Sequence, residues 1–169
     1  MIYKEVEGDL IKLALEGNFD VIAHGCNCFC TMGAGIAPQM AKAFGADSFK
    51  KERLSHKGDI NKLGTIDYES KWFPKPTEIG ANFGGFTVHV VNAYTQYGFG
   101  ANHATGSPAP IDYEALTLCL RKINHIFKGK RIGLPQIGCG LAGGKWSIVS
   151  KLIQAELFDC DVTVVIFKK

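Results

Sequence analysis

The sequence predicts an α/β fold in which helices pack on both faces of a central sheet. Short apolar segments alternate along the chain with longer segments that have the periodicity of amphipathic helices. This alternation is typical of a sandwich with helix, sheet and helix layers. Two of the apolar segments run directly into glycine-rich loops, and the length of 169 residues suits a single domain over 1–169 better than two domains.

The amino-acid composition and the net charge indicate a globular protein and limit the partners that it is expected to bind. Hydrophobic residues make up 46% of the chain and charged residues 21%, which allows a sizeable core. The net charge of +3 comes from scattered lysines and arginines, so a nucleic-acid partner is not expected, whereas a small anionic ligand is compatible with it. No apolar run approaches the roughly 20 residues of a membrane helix. We therefore expect no membrane partner.

The N-terminus and the cysteines indicate the compartment. The first residues include no apolar signal segment, so a cytoplasmic location is expected. The six cysteines are then reduced thiols rather than disulfides. Cys26, Cys28 and Cys30 alternate, whereas zinc sites usually contain C-x₂-C pairs, so we expect no metal.

The predicted strands are short runs of apolar and β-branched residues, most of them bounded by turn-forming residues. In chain order they cover residues 2–6, 21–23, 64–68, 87–94, 131–134 and 162–167. The run 21–23 is uniformly apolar, as expected of a strand that is buried on both faces. Prolines and glycines between 73 and 85 predict a hairpin excursion between the third and fourth strands.

The predicted helices place apolar residues on one face through their i, i+3 and i+4 spacing. In chain order they cover residues 10–15, 36–44, 48–55, 112–127 and 146–157. Asp9 precedes the first helix and is a favourable N-cap, because its carboxylate accepts hydrogen bonds from free N–H groups. The longest helix presents Leu116, Leu120 and Ile123 to the core, and a loop over 98–110 precedes it.

Two glycine-rich loops are distinctive because each follows a strand and precedes a helix. The first lies within 24–37, around Gly33 and Gly35, and the second lies within 134–146, around Gly138. Glycine lets a ligand approach the backbone closely, and a helix N-terminus offers free N–H groups and partial positive charge. Because such loops at carboxyl ends of strands face one crevice, they predict a cradle for a diphosphate. Ordinary strand-to-helix turns are the alternative.

Four segments together resemble the motifs of macro domains: Gly8-Asp9-Leu10, Asn27, Gly33-Ala34-Gly35-Ile36-Ala37 and Pro135-Gln136-Ile137-Gly138-Cys139-Gly140-Leu141. The resemblance covers nearly the whole chain. It implies a three-layer α/β/α sandwich with a mixed central sheet that binds ADP-ribose. The chain is most similar to the branch that contains the ADP-ribose 1''-phosphate phosphatases and the terminal ADP-ribose protein glutamate hydrolases. Residues 92–97 and 142–146 resemble the phosphatases of yeast, bacteria and phages.

The resemblance also implies roles for individual residues. Asp9 matches the acid that accepts a hydrogen bond from the adenine amino group, and Asn27 matches the asparagine that orients the distal ribose. Phe167 lies where members of the family place a residue against adenine. The other implied ligand contacts are Leu10, Gly33, Ala34, Gly35, Ile36, Ile137, Gly138, Cys139, Gly140 and Leu141. The plainer alternatives are a helix cap for Asp9, a turn for Asn27 and a core position for Phe167.

The chain departs from the glutamate-hydrolase branch in two places. Thr95 and Gln96 stand where that branch has the lysine that reacts with the opened ribose, and neither residue can form a Schiff base. Ala142 stands where that branch has an aspartate. Lysine-and-aspartate hydrolysis of ADP-ribosyl glutamate, or of the related DNA adduct, is therefore not expected.

The resemblance to the phosphatases then implies hydrolysis of ADP-ribose 1''-phosphate to ADP-ribose and phosphate, and we expect a monomer without a cofactor. Loop amides would stabilise the phosphoryl charge, and a histidine would handle the proton. His24 precedes Asn27 as in the similar yeast phosphatase, so His24 and Asn27 are the expected catalytic residues. His103 is the alternative proton carrier, since His24 also suits a buried strand position. The alternative function is a non-catalytic reader of ADP-ribose or mono-ADP-ribosyl groups.

Overall fold

The strands and helices come from a computed structural model that describes residues 2–31, 34–45, 58–76, 83–99 and 109–168. The strands are β1 (Tyr3–Glu7), β2 (Val21–Asn27), β3 (Ile66–Pro76), β4 (Phe83–Gln96), β5 (Arg131–Leu134) and β6 (Asp161–Ile166). The helices are α1 (Leu10–Leu15), α2 (Ala37–Phe44), α3 (Tyr113–Ile126) and α4 (Trp146–Glu156), with a 3₁₀ turn at Ile60–Lys62. None of the helices within these ranges is long and apolar enough to cross a bilayer.

The six strands form one mixed sheet in the order β1-β6-β5-β2-β4-β3. Strands β1, β6, β5, β2 and β4 are parallel to one another, and β3 pairs antiparallel with β4 at the edge. The carboxyl ends of the parallel strands therefore lie along one edge of the sheet. The predicted α/β sandwich with a mixed central sheet is confirmed.

Two apolar cores cover opposite faces of the sheet. One contains Val21 and Ala23 with residues of α3 and α4, and the other contains Ile22 with residues of α1 and α2. Successive side chains of a strand point to opposite faces, so neighbours in β2 enter different cores. The prediction of a strand buried on both faces is confirmed, since the first four residues of β2 are all buried.

The central strand and the hairpin are longer than predicted. β2 continues to Asn27, although the apolar pattern stops before it, because β4 pairs with the strand along its whole length. The hairpin excursion predicted between 73 and 85 is part of a continuous ladder from Ile66↔Ala93 to Pro76↔Phe83. Prolines are tolerated there because β3 is an edge strand, where only every second N–H pairs with a neighbouring strand. The helix predicted over 48–55 lies outside the described residues.

Candidate ligand-binding site

A cavity of about 580 Å³ opens at the edge of the sheet where the parallel strands end. Its wall is built from the ends of β2 and β4, the start of α2 and the loop after β5, and comprises residues 24–27, 31, 34–37, 96, 99, 135–138 and 140–142. The volume is within the range of small-molecule sites. Both glycine-rich loops line this one cavity, as the sequence predicted.

Backbone N–H groups of both loops are free to bind a ligand. In the described part of the chain, those of Gly35, Ile36, Gly140 and Leu141 donate to no protein acceptor. Gly35 has a φ of +64°, a left-handed conformation that favours glycine. A Cβ added to Gly35 or to Gly140 would have no atom within 4 Å. The backbone of both loops is therefore open to a close approach.

The helices that follow the two loops begin without side-chain caps. The carboxylates of Asp9 and Asp112 cap α1 and α3 by accepting hydrogen bonds from first-turn N–H groups. In contrast, Ile36 before α2 and Lys145 before α4 make no side-chain capping bond. The first residue of α2, Ala37, lines the cavity. Its N-terminal N–H groups and partial positive charge are therefore available to an anion.

Side-chain charge contributes little to the cavity. Among the described residues of its wall, His24 and Cys26 are the only ones with an ionisable side chain. Burial raises the pKa of the Cys26 thiol well above its usual value, so this thiol is neutral. An anion bound here would be held chiefly by backbone N–H groups, which form anion-binding concavities in many phosphate sites.

His24 lies on β2 opposite Asn92 of β4 and is 1% exposed. Its Nε2 atom is 2.6 Å from the Asn92 Oδ1 atom. Burial lowers the pKa of His24 to about 4, although the bond to Asn92 and the charge of Asp67 oppose this shift. The imidazole is therefore neutral near pH 7. It is a buried, hydrogen-bonded strand histidine that also lines the cavity.

The side-chain amide of Asn27 shapes the loop after β2. Its Oδ1 accepts from the N–H groups of Phe29 at 3.0 Å and Thr31 at 3.3 Å. Its Nδ2 donates to the hydroxyl of Thr31 at 2.8 Å. Asn27 thus forms the turn that was considered as its alternative role, and it lines the cavity at the same time.

Asp9 lies at the same edge of the sheet, outside the cavity wall. It caps α1 as predicted, with Oδ1 accepting from the N–H groups of Ile11 at 3.0 Å and Lys12 at 3.2 Å. Its second oxygen, Oδ2, accepts from no described group. One carboxylate oxygen is therefore used by the fold, and the other is free. Leu10, the next residue, is buried in the α1 and α2 core.

Phe167 follows β6 directly and lies next to the segment that leads from β1 to Asp9. Glu7 pairs with Ile166, and the Gly8 N–H donates to the Ile166 carbonyl at 3.0 Å. Phe167 is 68% exposed, so the core position considered from the sequence is wrong. Asp9 and Phe167 therefore follow the carboxyl ends of two adjacent strands, β1 and β6.

The other residues that the sequence predicted for the site do not all lie in the cavity wall. Ala34, Ile137, Gly138 and Leu141 line the cavity. Cys139 belongs to the same loop but turns its thiol to the Ile137 carbonyl at 3.6 Å and does not line the cavity. Gly33 and His103 lie outside the described residues.

Several wall residues were not predicted as ligand contacts, and Phe99 is the clearest. Phe99 is 51% exposed and packs edge-on against Phe29 with ring centroids 6.1 Å apart. A single aromatic residue in a loop has no periodic signal, so the sequence did not distinguish it. Thr31 and Gln136 also line the cavity and were missed for the same reason.

Thr95 is the one buried side chain of the described residues whose polar atom has no hydrogen-bond partner. The pairing of β2 with β4 shifts register between Cys26 and Asn27, so that Thr95 is passed over in the ladder. Its hydroxyl oxygen lies 2.8 Å from where a Cβ on Gly25 would stand. Any side chain at Gly25 would therefore displace the Thr95 hydroxyl.

We expect Thr95→Val to raise the free energy of unfolding by about 1 kcal/mol. Valine has nearly the same shape and removes a buried hydroxyl that has no partner, which relieves a desolvation penalty. Denaturant titration measures the change, and Thr95→Ser, which keeps the hydroxyl and loses the methyl group, is the control and should be less stable than the parent. A destabilised Thr95→Val variant would contradict the absence of a partner.

The chain is similar over its length to a viral protein. It is 31% identical over 169 residues to the uncharacterized 17.5 kDa protein in the tk-vs intergenic region of Enterobacteria phage T4, with 98% of this chain and 96% of that protein covered. No family model matches the chain.

Solved structures share the architecture. A protein of unknown function from Bacteroides thetaiotaomicron has a TM-score of 0.70 at 24% identity, with 98% of both chains covered. The macrodomain of Mycobacterium tuberculosis DarG has a TM-score of 0.63 at 20% identity, covering 99% of this chain and 98% of that one. The Trypanosoma brucei macrodomain in complex with ADP-ribose has a TM-score of 0.55 at 15% identity, covering 99% of this chain and 64% of that one.

Proposed function

Since this chain belongs to the family of the phage T4 protein and has the macro domain fold, we propose that it binds ADP-ribose and hydrolyses ADP-ribose 1''-phosphate. The α/β sandwich with a mixed sheet, which the sequence motifs implied, is shared with solved macrodomains. The observation that best supports binding is that two glycine-rich loops with free N–H groups line one cavity. The Trypanosoma brucei macrodomain of the same fold has been solved with ADP-ribose bound.

The strand order supports an extended pose for the ligand. Asp9 follows β1, Phe167 follows β6, the second glycine-rich loop follows β5 and the first follows β2. These four strands are neighbours in that order, and three strand spacings amount to about 14 Å. Adenine near Asp9 and Phe167, the diphosphate between the loops and the distal ribose near Asn27 would then follow one another along the edge.

The hydrolytic step assigned to this site needs one proton acceptor. Water attacks the phosphorus atom, His24 takes a proton from that water, and the bond between phosphorus and the 1'' oxygen breaks. The leaving 1'' oxygen takes a proton from solvent as ADP-ribose departs, and His24 then returns its proton to solvent. Because the pKa of His24 is lowered to about 4, its imidazole is neutral near pH 7 and has a free lone pair, and it is a weaker base than a histidine of ordinary pKa.

A binding module without turnover is the second candidate function. Three observations favour it. The Nε2 atom of His24 is already engaged by Asn92, and the Asn27 amide is used within its own loop. Moreover, no lysine or arginine of the described residues lines the cavity to neutralise the 1'' phosphate, which the substrate carries in addition to its diphosphate. A non-catalytic reader would need only to bind ADP-ribose, and would not need a group that accepts a proton.

We expect ADP-ribose to bind with a micromolar Kd, equivalent to about 8 kcal/mol. Gly35→Ala should weaken binding by about tenfold or more, because the new methyl group lies where the diphosphate approaches the backbone. Gly129→Ala is the matched control: Gly129 has a φ of +81° and, like Gly35, no atom within 4 Å of an added Cβ. Both variants should lose similar stability, yet only Gly35→Ala should lose affinity in calorimetry.

Two results would contradict this binding proposal. If the parent protein gives neither heat nor thermal shift with millimolar ADP-ribose, the proposal is wrong. If Gly35→Ala binds as tightly as Gly129→Ala, the cradle lies elsewhere. Gly140→Val should also lose affinity for ADP-ribose. It should remain folded, because Gly140 has an ordinary φ and open space for the side chain.

Asp9→Ala should weaken the binding of ADP-ribose by roughly 1–3 kcal/mol, because the adenine amino group loses its charged acceptor. It should also cost about 1 kcal/mol of stability through loss of the cap. Asp112→Ala removes the corresponding cap of α3 and should leave affinity unchanged. Ribose 5-phosphate, which has no adenine, should bind Asp9→Ala and the parent equally. Equal losses for both ligands would show that Asp9 only caps α1.

The parent protein should release phosphate from ADP-ribose 1''-phosphate in EDTA, with inhibition by the product, since most contacts are shared by substrate and product. His24→Ala should lower turnover by a factor of about 10² or more, with ADP-ribose affinity within a few-fold. His24→Gln, which keeps a donor for Asn92, checks that the loss is not due to unfolding. If His24→Ala retains full activity, the His24 role is wrong. If the parent releases no phosphate with EDTA or added magnesium, the hydrolysis proposal is wrong. The function is then that of a non-catalytic reader of ADP-ribose.

A further inference from the structure

We propose that Asn92 and Asp67 are positioning residues that hold the His24 imidazole in one tautomer, with the proton on Nε2 and the lone pair on Nδ1. The purpose of this arrangement rests on the proposed proton-accepting role of His24. The tautomer itself can be measured whether or not the protein turns over a substrate.

The three residues form a chain of hydrogen bonds across neighbouring strands. His24 of β2 is opposite Asn92 of β4, and Asn92 is opposite Asp67 of β3. The Asn92 Nδ2 atom donates to Asp67 Oδ1 at 2.8 Å, and Asn92 Oδ1 lies 2.6 Å from His24 Nε2. Asn92 is fully buried, so water does not compete for its bond to His24, whereas its bond to Asp67 is partly buried.

The order of donors and acceptors follows from the carboxylate. An ionised carboxylate only accepts, so the group that Asn92 turns to Asp67 must be its NH₂. The Asn92 carbonyl oxygen then faces His24 and can only accept. Nε2 must therefore carry the imidazole proton, which leaves Nδ1 as the acceptor nitrogen. The carboxylate thus fixes the tautomer through one intervening amide.

A second donor fixes the carboxylate. The hydroxyl of Tyr94 donates to Asp67 Oδ2 at 2.6 Å, so both oxygens of Asp67 have a partner. Tyr94 is itself buried, and the ammonium of Lys62 lies 5.1 Å from its ring centre. Because both oxygens of Asp67 and both polar atoms of the Asn92 amide have partners, neither the carboxylate nor the amide is free to rotate.

The other group near the imidazole is the Cys26 thiol. Its sulfur is 3.7 Å from Nε2 and 4.0 Å from Nδ1 of His24. Since burial raises the pKa of Cys26 well above its usual value, the sulfur carries no charge that would compete with Asp67. Asp67 is therefore the charged group that sets the orientation of this cluster within the described residues.

The test is long-range ¹H–¹⁵N correlation NMR on protein labelled at histidine, with the His24 signals assigned by their loss in His24→Gln. The parent should show a neutral His24 ring protonated at Nε2 near pH 7. Asn92→Leu removes the acceptor and should give a mixture of tautomers. Asn92→Asp keeps an acceptor for Nε2 and shares one proton with Asp67, which brings negative charge closer to the ring. It should retain the Nε2 proton and move the titration midpoint of His24 to higher pH.

Ser70→Ala is the matched control. Ser70 of β3 forms a cross-strand bond to His89 of β4, with 2.6 Å between Ser70 Oγ and His89 Nδ1. This pair lies away from the cavity wall. The control should change the signals of His89 only and leave those of His24, and phosphate release, unchanged.

Turnover supplies the second readout. Asn92→Leu should lower kcat for phosphate release by about the fraction of rings whose proton has moved to Nδ1, with KM within a few-fold, because those rings cannot accept a proton at Nδ1. Asn92→Asp should retain activity and shift the acid limb of the pH profile to higher pH. Asp67→Asn, which can still accept from Asn92, should rescue most of the loss caused by Asp67→Leu.

Three outcomes would overturn the proposal. A parent ring protonated at Nδ1, or an unchanged tautomer in a folded Asn92→Leu variant, would show that the network does not set it. A parent with the expected tautomer that releases no phosphate would overturn the catalytic purpose and the proposed hydrolysis, while ADP-ribose binding would be judged by calorimetry alone.

Discussion

The pairing of β2 with parallel strands on both of its sides is the constraint on which the site depends. Val21 is in register with Ile132 of β5 and with His89 of β4, so three strands run side by side to the same edge. The loops that follow β2 and β5 must therefore begin next to each other. Without this register, two glycine-rich turns would be separate features of the chain and would not form one cavity.

The same pairing explains why polar residues are found in the most buried strand. His24 and Asn27 belong to β2, where an unpaired polar side chain is costly. Each is satisfied by a neighbour that the fold supplies: Asn92 from the adjacent strand for His24, and the turn at Thr31 for Asn27. These bonds give the two side chains fixed orientations.

The sequence predicted those elements whose signal is local. β5 has the bounds that were predicted, and α3 agrees within a residue at each end, because a short apolar run and a capped amphipathic helix are recognisable alone. The glycines of the two loops were also found locally. The rest depends on register between distant segments. Asn92 and Asp67 are 25 positions apart and meet only because β3 folds back on β4. Thr95 is left out of the ladder only because the register between β2 and β4 shifts.

The two edges of the sheet bear on how copies of this protein behave at high concentration. An edge strand offers unpaired N–H and carbonyl groups on which another chain can align and aggregate. At one edge, β3 carries Pro74 and Pro76, which have no N–H to offer. At the other, β1 has five residues, and Lys4, Glu5 and Glu7 are exposed. Both edges therefore resist the strand-to-strand stacking that leads to fibrils.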